Sequence, residues 1–67
     1  MLNEHWLRSF RAIAEVGSFT RAAGQLQLTQ AAVSQHVRHL EQQLGALFLR
    51  RPRFIELTPA GMALLQY

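Results

Sequence analysis

The sequence contains no cysteine, no lysine and no long apolar run. Without cysteine the chain forms no disulfide bond, and zinc sites built on thiolates are excluded. No apolar stretch approaches the roughly 20 residues that a transmembrane helix needs, so we expect no membrane partner. The N-terminal residues also lack the basic segment and apolar core of a secretory signal, which favours a cytoplasmic protein.

Positive charge is carried by arginine alone. Seven arginines stand against four acidic residues, which leaves a formal net charge of +3. Arginine is better suited than lysine to bidentate contacts with phosphate groups and guanine edges. A small basic excess is common among proteins, so the positions of the arginines carry more information than their number.

With 67 residues the chain is at most one small domain. Its apolar residues recur at helical spacing in separate segments, which predicts helices. The predicted helices run from about Asn3 to Val16, from Phe19 to about Leu26, from Gln30 to about Leu44, and from Thr58 onward.

Each predicted helix is bounded by residues that favour a helix end. Ser18, Thr29 and Thr58 precede helical segments, and their hydroxyl groups can accept hydrogen bonds from first-turn amides. Gly17 and Gly45 follow the first and third helices, where glycine is favoured. The last helix is still apolar where the sequence stops, so we expect the chain to be the front of a longer protein that dimerises through this helix.

The segment from Leu47 to Leu57 has a different pattern. Two apolar stretches flank the basic run Arg50-Arg51-Pro52-Arg53. Proline does not fit a helix interior but suits a turn. The pattern therefore predicts two short extended arms around a basic tip.

A tight turn joins the second and third predicted helices, as in a helix-turn-helix. The third helix has an aliphatic stripe that includes Val33, Val37, Leu40 and Leu44, and its opposite side is polar. The DNA major groove, about 12 Å wide, admits one such helix. The predicted DNA contacts are the polar side chains of this helix and the small or capping residues at its start, namely Thr29, Gln30, Ala31, Ala32, Ser34, Gln35 and Arg38.

The basic tip extends this candidate surface. Arg50, Arg51 and Arg53 place three positive charges within four residues. A loop of this kind can follow phosphate groups or insert arginine into a narrow minor groove.

No catalytic, metal or cofactor site is predicted. His36 and His39 lie at helical spacing, but the sequence near them lacks a convincing set of further ligands. Ser34 would need a base and an orienting acid to act as a nucleophile. Trp6 and Tyr67 are expected to pack in the core or in a dimer. Two other classes stay open: a protein-interaction module on a helix-turn-helix scaffold, and a small hydrolase, for which four scattered carboxylates offer no site.

A set of motifs runs through the chain in a recognisable order. The motifs are Gly17-Ser18-Phe19-Thr20-Arg21-Ala22-Ala23, Leu28-Thr29-Gln30-Ala31-Ala32-Val33-Ser34-Gln35, Leu40-Glu41, Leu44-Gly45, Leu47-Phe48-x-Arg50 and Leu57-Thr58-x-Ala60-Gly61. Together they cover essentially the whole sequence without gaps. In this combination the chain resembles the N-terminal domain of LysR-type transcriptional regulators.

The resemblance implies a mostly α fold: a winged helix-turn-helix over residues 1–57, with a three-helix core and a short two-stranded wing, followed at residues 58–67 by the start of a linker and dimerisation helix. It implies sequence-specific binding to double-stranded DNA and no enzymatic activity. It further implies a homodimer, or a tetramer of the full-length protein, with Met62 and Leu65 in the dimer interface. A C-terminal domain, outside this sequence, would bind a small-molecule effector.

Overall fold

The computed structural model describes residues 2–67 as three packed helices, a two-stranded sheet and a short final helix. The elements in chain order are α1 (Glu4–Val16), α2 (Phe19–Leu26), α3 (Gln30–Leu44), β1 (Phe48–Arg50), β2 (Ile55–Leu57) and α4 (Pro59–Leu65). The predicted helices are confirmed, and the predicted extended arms form a hairpin. This hairpin, residues 48–57, is the wing of the domain.

The predicted N-caps are present. The side-chain oxygens of Ser18, Thr29 and Thr58 each accept a hydrogen bond from the amide three residues later, at 3.0–3.1 Å. Asn3 caps α1 in the same way, so this helix starts one residue later than the periodicity predicts. Each cap supplies a partner to an amide that has none within its own helix.

Two of the helices end at glycine, as predicted. Gly17 and Gly45 have φ angles of 72° and 86°, in the region that favours glycine because no Cβ is present. Between α2 and α3 the turn uses Gln27 at φ 58°, and its amide donates to the last carbonyls of α2. This left-handed residue is what makes the connection between the two helices tight.

The core lies between the first three helices and is closed by the wing. Phe10 of α1 packs against Phe48 of β1, with 5.2 Å between ring centroids, and Phe19 of α2 meets Phe48 edge-on at 5.8 Å. Trp6 is half-buried and stacks on His39 of α3 at 4.6 Å, in agreement with its predicted packing role. The predicted aliphatic stripe of α3 is buried except for Leu44, which is 41% exposed because α3 extends past the core there.

The wing is an antiparallel pair in which Phe48 faces Leu57, and Arg50 faces Ile55. The amide of Arg51 donates to the carbonyl of Phe54 at 2.8 Å, which closes the hairpin around Pro52 and the following residue. The predicted turn at the proline is therefore confirmed.

The chain that enters the wing is tied to the start of α4. Thr58 donates from its hydroxyl to the Ala46 carbonyl at 2.6 Å, and its amide donates to the Leu47 carbonyl at 3.0 Å. Gly61 sits against the same carbonyl, so that a Cβ there would collide with the Leu47 oxygen. The final helix is thus held in contact with the wing. None of the helices within residues 2–67 is long and apolar enough to span a bilayer.

Candidate nucleic-acid interface

Helix α3 presents opposite surfaces to the core and to the outside. Val33, Val37 and Leu40 are buried, whereas Gln35 and Arg38 on the other side are exposed. At 3.6 residues per turn these two sets lie on opposing faces. The predicted polarity of this helix is confirmed.

The start of α3 is exposed but already partly committed to protein hydrogen bonds. The Thr29 oxygen accepts from the Ala32 amide, and the Gln30 carboxamide oxygen accepts from the Thr20 hydroxyl at 3.2 Å. Ala31 is exposed and Ala32 is half-buried. Small side chains at this end leave the helix backbone accessible to a large ligand.

The structure brings the middle of α3 next to the wing. Ser34 and Arg38 of α3 line a depression of about 150 Å³ together with Phe19 and Arg50. Two residues predicted to contact DNA from α3 therefore adjoin one predicted from the basic tip.

A larger cleft of about 350 Å³ runs between the start of α2, the start of α3 and the wing. Its polar lining residues are Ser18, Thr20, Gln30, Arg50, Arg51 and Arg53. All three predicted arginines thus open on one concave surface that also contains the first residue of α3. The positive charge of this shallow surface suits the phosphates of a nucleic-acid backbone.

The three arginines are held in different ways. The guanidinium of Arg50 lies 4.0 Å from the Phe19 ring centroid, on the side of the wing that faces the core. Arg51 pairs with Glu56 at 3.1 Å, and both side chains are about half exposed. Arg53, at the tip, makes no ion pair or side-chain hydrogen bond to residues 2–67. Sequence reasoning treated the three as equivalent charges, and the pairing with Glu56 was missed.

Glu41 is a second residue that sequence reasoning did not place. Its carboxylate accepts hydrogen bonds from the amides of Leu47 and Phe48, at 2.7 and 3.3 Å. It is the only carboxylate of α3, and it points to the wing backbone. This contact fixes the start of the wing relative to α3, but the Glu41 side chain is only half-buried and still lines the depression that contains Ser34, Arg38 and Arg50.

The histidines lie on the α1 side of α3, away from the arginine cleft. His36 is half-buried, and its Nδ1 lies 2.7 Å from Oγ of Ser9, which is fully buried. Burial lowers the pKa of His36 below its ordinary value of 6.5, and His5 and His39 lower it further by charge repulsion. Within the described part of the chain no three metal-ligating side chains come together.

Helix α4 has one face on the domain and one face outside. Gly61 and Leu64 are buried, whereas Met62 and Leu65 are 53% and 41% exposed. A separate apolar groove of about 370 Å³ lies on another side of α4 and is lined by Leu2, Leu44, Ala60, Ala63, Leu64 and Tyr67. Tyr67 is exposed and lies outside the core. Of its two predicted locations, the core and a dimer interface, only the dimer interface stays a prediction.

A three-helix core whose third helix exposes a polar face beside a two-stranded hairpin defines a winged helix-turn-helix domain. The chain belongs to the bacterial regulatory helix-turn-helix proteins of the LysR family, whose family model matches residues 5–62. It is a LysR-type DNA-binding domain, and the fold and family expected from the motifs are confirmed.

Individual relatives agree with this assignment. The HTH-type transcriptional activator AmpR of Providencia stuartii is 60% identical over 60 residues, which are 88% of this chain and 20% of AmpR. A crystal structure of a LysR-family transcriptional regulator from Eggerthella lenta matches with a TM-score of 0.88 and 38% identity, over 96% of this chain and 93% of that one. A CbnR_DBD–DNA complex matches with a TM-score of 0.86 and 40% identity, over 92% and 72%. The chain spans about a fifth to a quarter of the length of its curated relatives.

Proposed function

We propose that this chain binds double-stranded DNA sequence-specifically, with α3 in the major groove and the wing on the flanking backbone or minor groove. The observation that carries the proposal is the shared cleft, in which Gln30 and the three wing arginines meet. The existence of a DNA complex for a related domain at 40% identity supports it.

The outward side of α3 supplies the proposed base readout. Gln35 and Arg38 are exposed at its middle. Gln30 lines the cleft, and Ser34 lines the smaller depression beside the wing. Amide and guanidinium groups match the hydrogen-bonding edges of purines in the major groove. Ala31 and Ala32 would allow close approach and contact with a thymine methyl group, and the Thr29 hydroxyl retains a proton to donate to a phosphate.

The wing supplies the proposed backbone contacts. Arg53, without a partner among residues 2–67, is the arginine most available to a phosphate or a minor groove. Arg50 and Arg51 line the same cleft from positions fixed by Phe19 and Glu56. Such contacts strengthen binding to all sequences and make it depend on salt.

The whole protein is proposed to act as a homodimer. Met62 and Leu65 expose apolar surface on α4, which a second copy would bury. Two domains related by a twofold axis would read an inverted repeat. The chain spans only a fifth of a relative such as AmpR, and we further propose that a separate domain of the whole protein binds a small-molecule effector. We also propose that the regulator works in the cytoplasm.

Selection of bound duplexes from a random pool, followed by anisotropy titrations at several salt concentrations, tests the DNA-binding role. Gln35→Ala should cost about 1–3 kcal/mol of binding free energy on the preferred duplex and relax the base preference at one position. Arg53→Ala should weaken binding to every duplex alike and reduce the log–log salt slope by about 0.9. The matched control is Arg11→Ala on α1, whose side chain lines a separate depression with Glu4 and Glu15.

Three outcomes would contradict the proposal. A Gln35 variant that lost affinity equally on all duplexes would remove its base-reading role. An Arg11 variant as weak as the Arg53 variant would show that only net charge matters. Absence of any salt-sensitive binding by the unmodified chain would instead favour a protein-interaction module.

A further inference from the structure

Thr20 and Gln30 join the two helices of the helix-turn-helix through their side chains. The Thr20 hydroxyl donates to the Gln30 carboxamide oxygen, Oε1, at 3.2 Å across the turn. Both side chains are exposed, and both line the cleft that contains the wing arginines. The bond therefore lies at the surface where α3 begins, beside the proposed path of the DNA.

The backbone at each end of this bond is already fixed. Thr20 follows the capping residue Ser18 and the buried Phe19 at the start of α2. Gln30 is the first residue of α3 and follows the capping residue Thr29. Only side-chain torsions remain to be ordered. The Thr20 hydroxyl can donate or accept, and in the structure it donates to Oε1, which is the carboxamide orientation on which the inference rests.

That orientation determines what Gln30 can offer to a base. A carboxamide has an oxygen that accepts and an NH₂ group that donates. Bidentate pairing with adenine uses both, since adenine presents an acceptor and a donor in the major groove. With Oε1 turned toward Thr20, the NH₂ group is what Gln30 presents outward. Guanine, which presents the two acceptors N7 and O6, fits this group.

We propose that Thr20 is a positioning residue that turns the amide donors of Gln30 toward the DNA, so that Gln30 favours guanine over adenine at the base it contacts. This inference rests on the proposed DNA-binding function.

The test is a selection from random duplexes with the 67-residue chain and three variants. Gln30→Ala identifies the half-site position concerned, because the base preference there should disappear. At that position the unmodified chain should favour guanine over adenine by about tenfold. Thr20→Val keeps the side-chain shape and removes the hydroxyl, so the ratio should fall to about threefold or less, and Thr20→Ser should restore it.

Nuclear magnetic resonance of the DNA-free chain gives a second readout. The Gln30 side-chain NH₂ signals should shift, and the group should become more mobile, in Thr20→Val but not in Thr20→Ser. A structural change unrelated to this bond would not alter the Gln30 signals in Thr20→Val while leaving them unchanged in Thr20→Ser.

The inference fails if the unmodified chain favours adenine, or if Thr20→Val keeps the original ratio, whether or not its Gln30 signals shift. It also fails if Thr20→Val weakens all duplexes by one factor with the ratio unchanged, since that would show a backbone contact only. Each of these results is compatible with DNA binding. If the unmodified chain showed no salt-sensitive binding to any duplex, the proposed function itself would be overturned, together with this role of Gln30.

Discussion

The guanidinium of Arg50 lies over the ring of Phe19, 4.0 Å from its centroid. Phe19 is the first residue of α2, and its ring also meets Phe48 of β1 edge-on. One aromatic side chain therefore connects α2 with both the core and the outer part of the wing. The wing, formed by two strands of only three residues each, gains a contact to the helices beyond its own hydrogen bonds.

We expect Arg50→Gln to destabilise the domain as well as to weaken DNA binding. A cation over an aromatic ring contributes about 0.5–1 kcal/mol at an exposed site. For a domain of this size that loss lowers Tm by about 2–8 °C. The control is Arg53→Gln, which removes the same charge from the tip and should lower Tm less than Arg50→Gln does, because Arg53 has no aromatic contact to lose among residues 2–67. Equal thermal shifts for the two variants would show that the Phe19 contact is energetically neutral.

Removing the charge of Glu56 should strengthen DNA binding. Glu56 pairs with Arg51 at 3.1 Å, but both groups are about half exposed, so Glu56→Gln should change stability by no more than about 1 kcal/mol. Arg51 then loses its competing carboxylate, and affinity at low salt should rise about twofold to fivefold. Anisotropy titration measures this rise in affinity. The control is Glu15→Gln, which makes the same change on α1. A rise of equal size in both variants would mean that only net charge matters.

The helix ends were predictable because their signals are local. A hydroxyl cap such as Thr29 and a glycine such as Gly45 act on backbone groups within a few residues. The polar face of α3 was predictable for the same reason, since helical periodicity alone places Gln35 and Arg38 opposite Val33.

The partners of the site residues were not predictable in this way. Glu41 accepts from the amides of Leu47 and Phe48, six and seven residues ahead, and Thr20 reaches Gln30 across a turn. These contacts depend on the angle at which two elements cross, which periodicity does not specify. The pairing of Arg51 with Glu56 depends likewise on hairpin register. Leu44 continues the aliphatic spacing but projects past the core, because spacing does not report where the neighbouring helix stops.

Alanine at two glycines should have opposite effects on stability. A Cβ at Gly61 would meet the Leu47 carbonyl oxygen and lie 2.8 Å from Cδ2 of Leu57, so α4 would have to move away from the wing. We expect Gly61→Ala to cost about 2–3 kcal/mol. Gly24 lies in the exposed part of α2 with nothing near its Cβ position. Gly24→Ala should therefore stabilise the domain by about 0.5–1 kcal/mol.

Chemical denaturation of both glycine variants measures these free energies of unfolding. A Gly61→Ala protein as stable as the unmodified chain would show that α4 can shift at no cost. A destabilised Gly24→Ala protein would show that this glycine has a packing role that the structure does not reveal.

Acidification should destabilise the fold through His36. Its pKa in the folded protein lies below the ordinary value of 6.5, first because of burial and then because of repulsion from His5 and His39. As the pH falls through 6.5 toward the folded-state pKa, the unfolded chain binds a proton that the folded chain resists. Stability is therefore fully present above that range and is lost below it. In the protonated ring both nitrogens carry hydrogen, so Nδ1 could then only donate to the Ser9 hydroxyl oxygen.

Thermal unfolding of the unmodified chain and of His36→Asn, between about pH 8 and about pH 5.5, isolates this effect. Asparagine can keep a hydrogen-bonding partner for the Ser9 hydroxyl but does not titrate in this range. The unmodified chain should lose more of its Tm on acidification than the variant does. Because His36 lies on the α1 side of α3, DNA binding at neutral pH should differ little between the two proteins. Parallel loss of Tm in both would assign the pH dependence to other groups and show that His36 binds protons equally in the folded and unfolded chain.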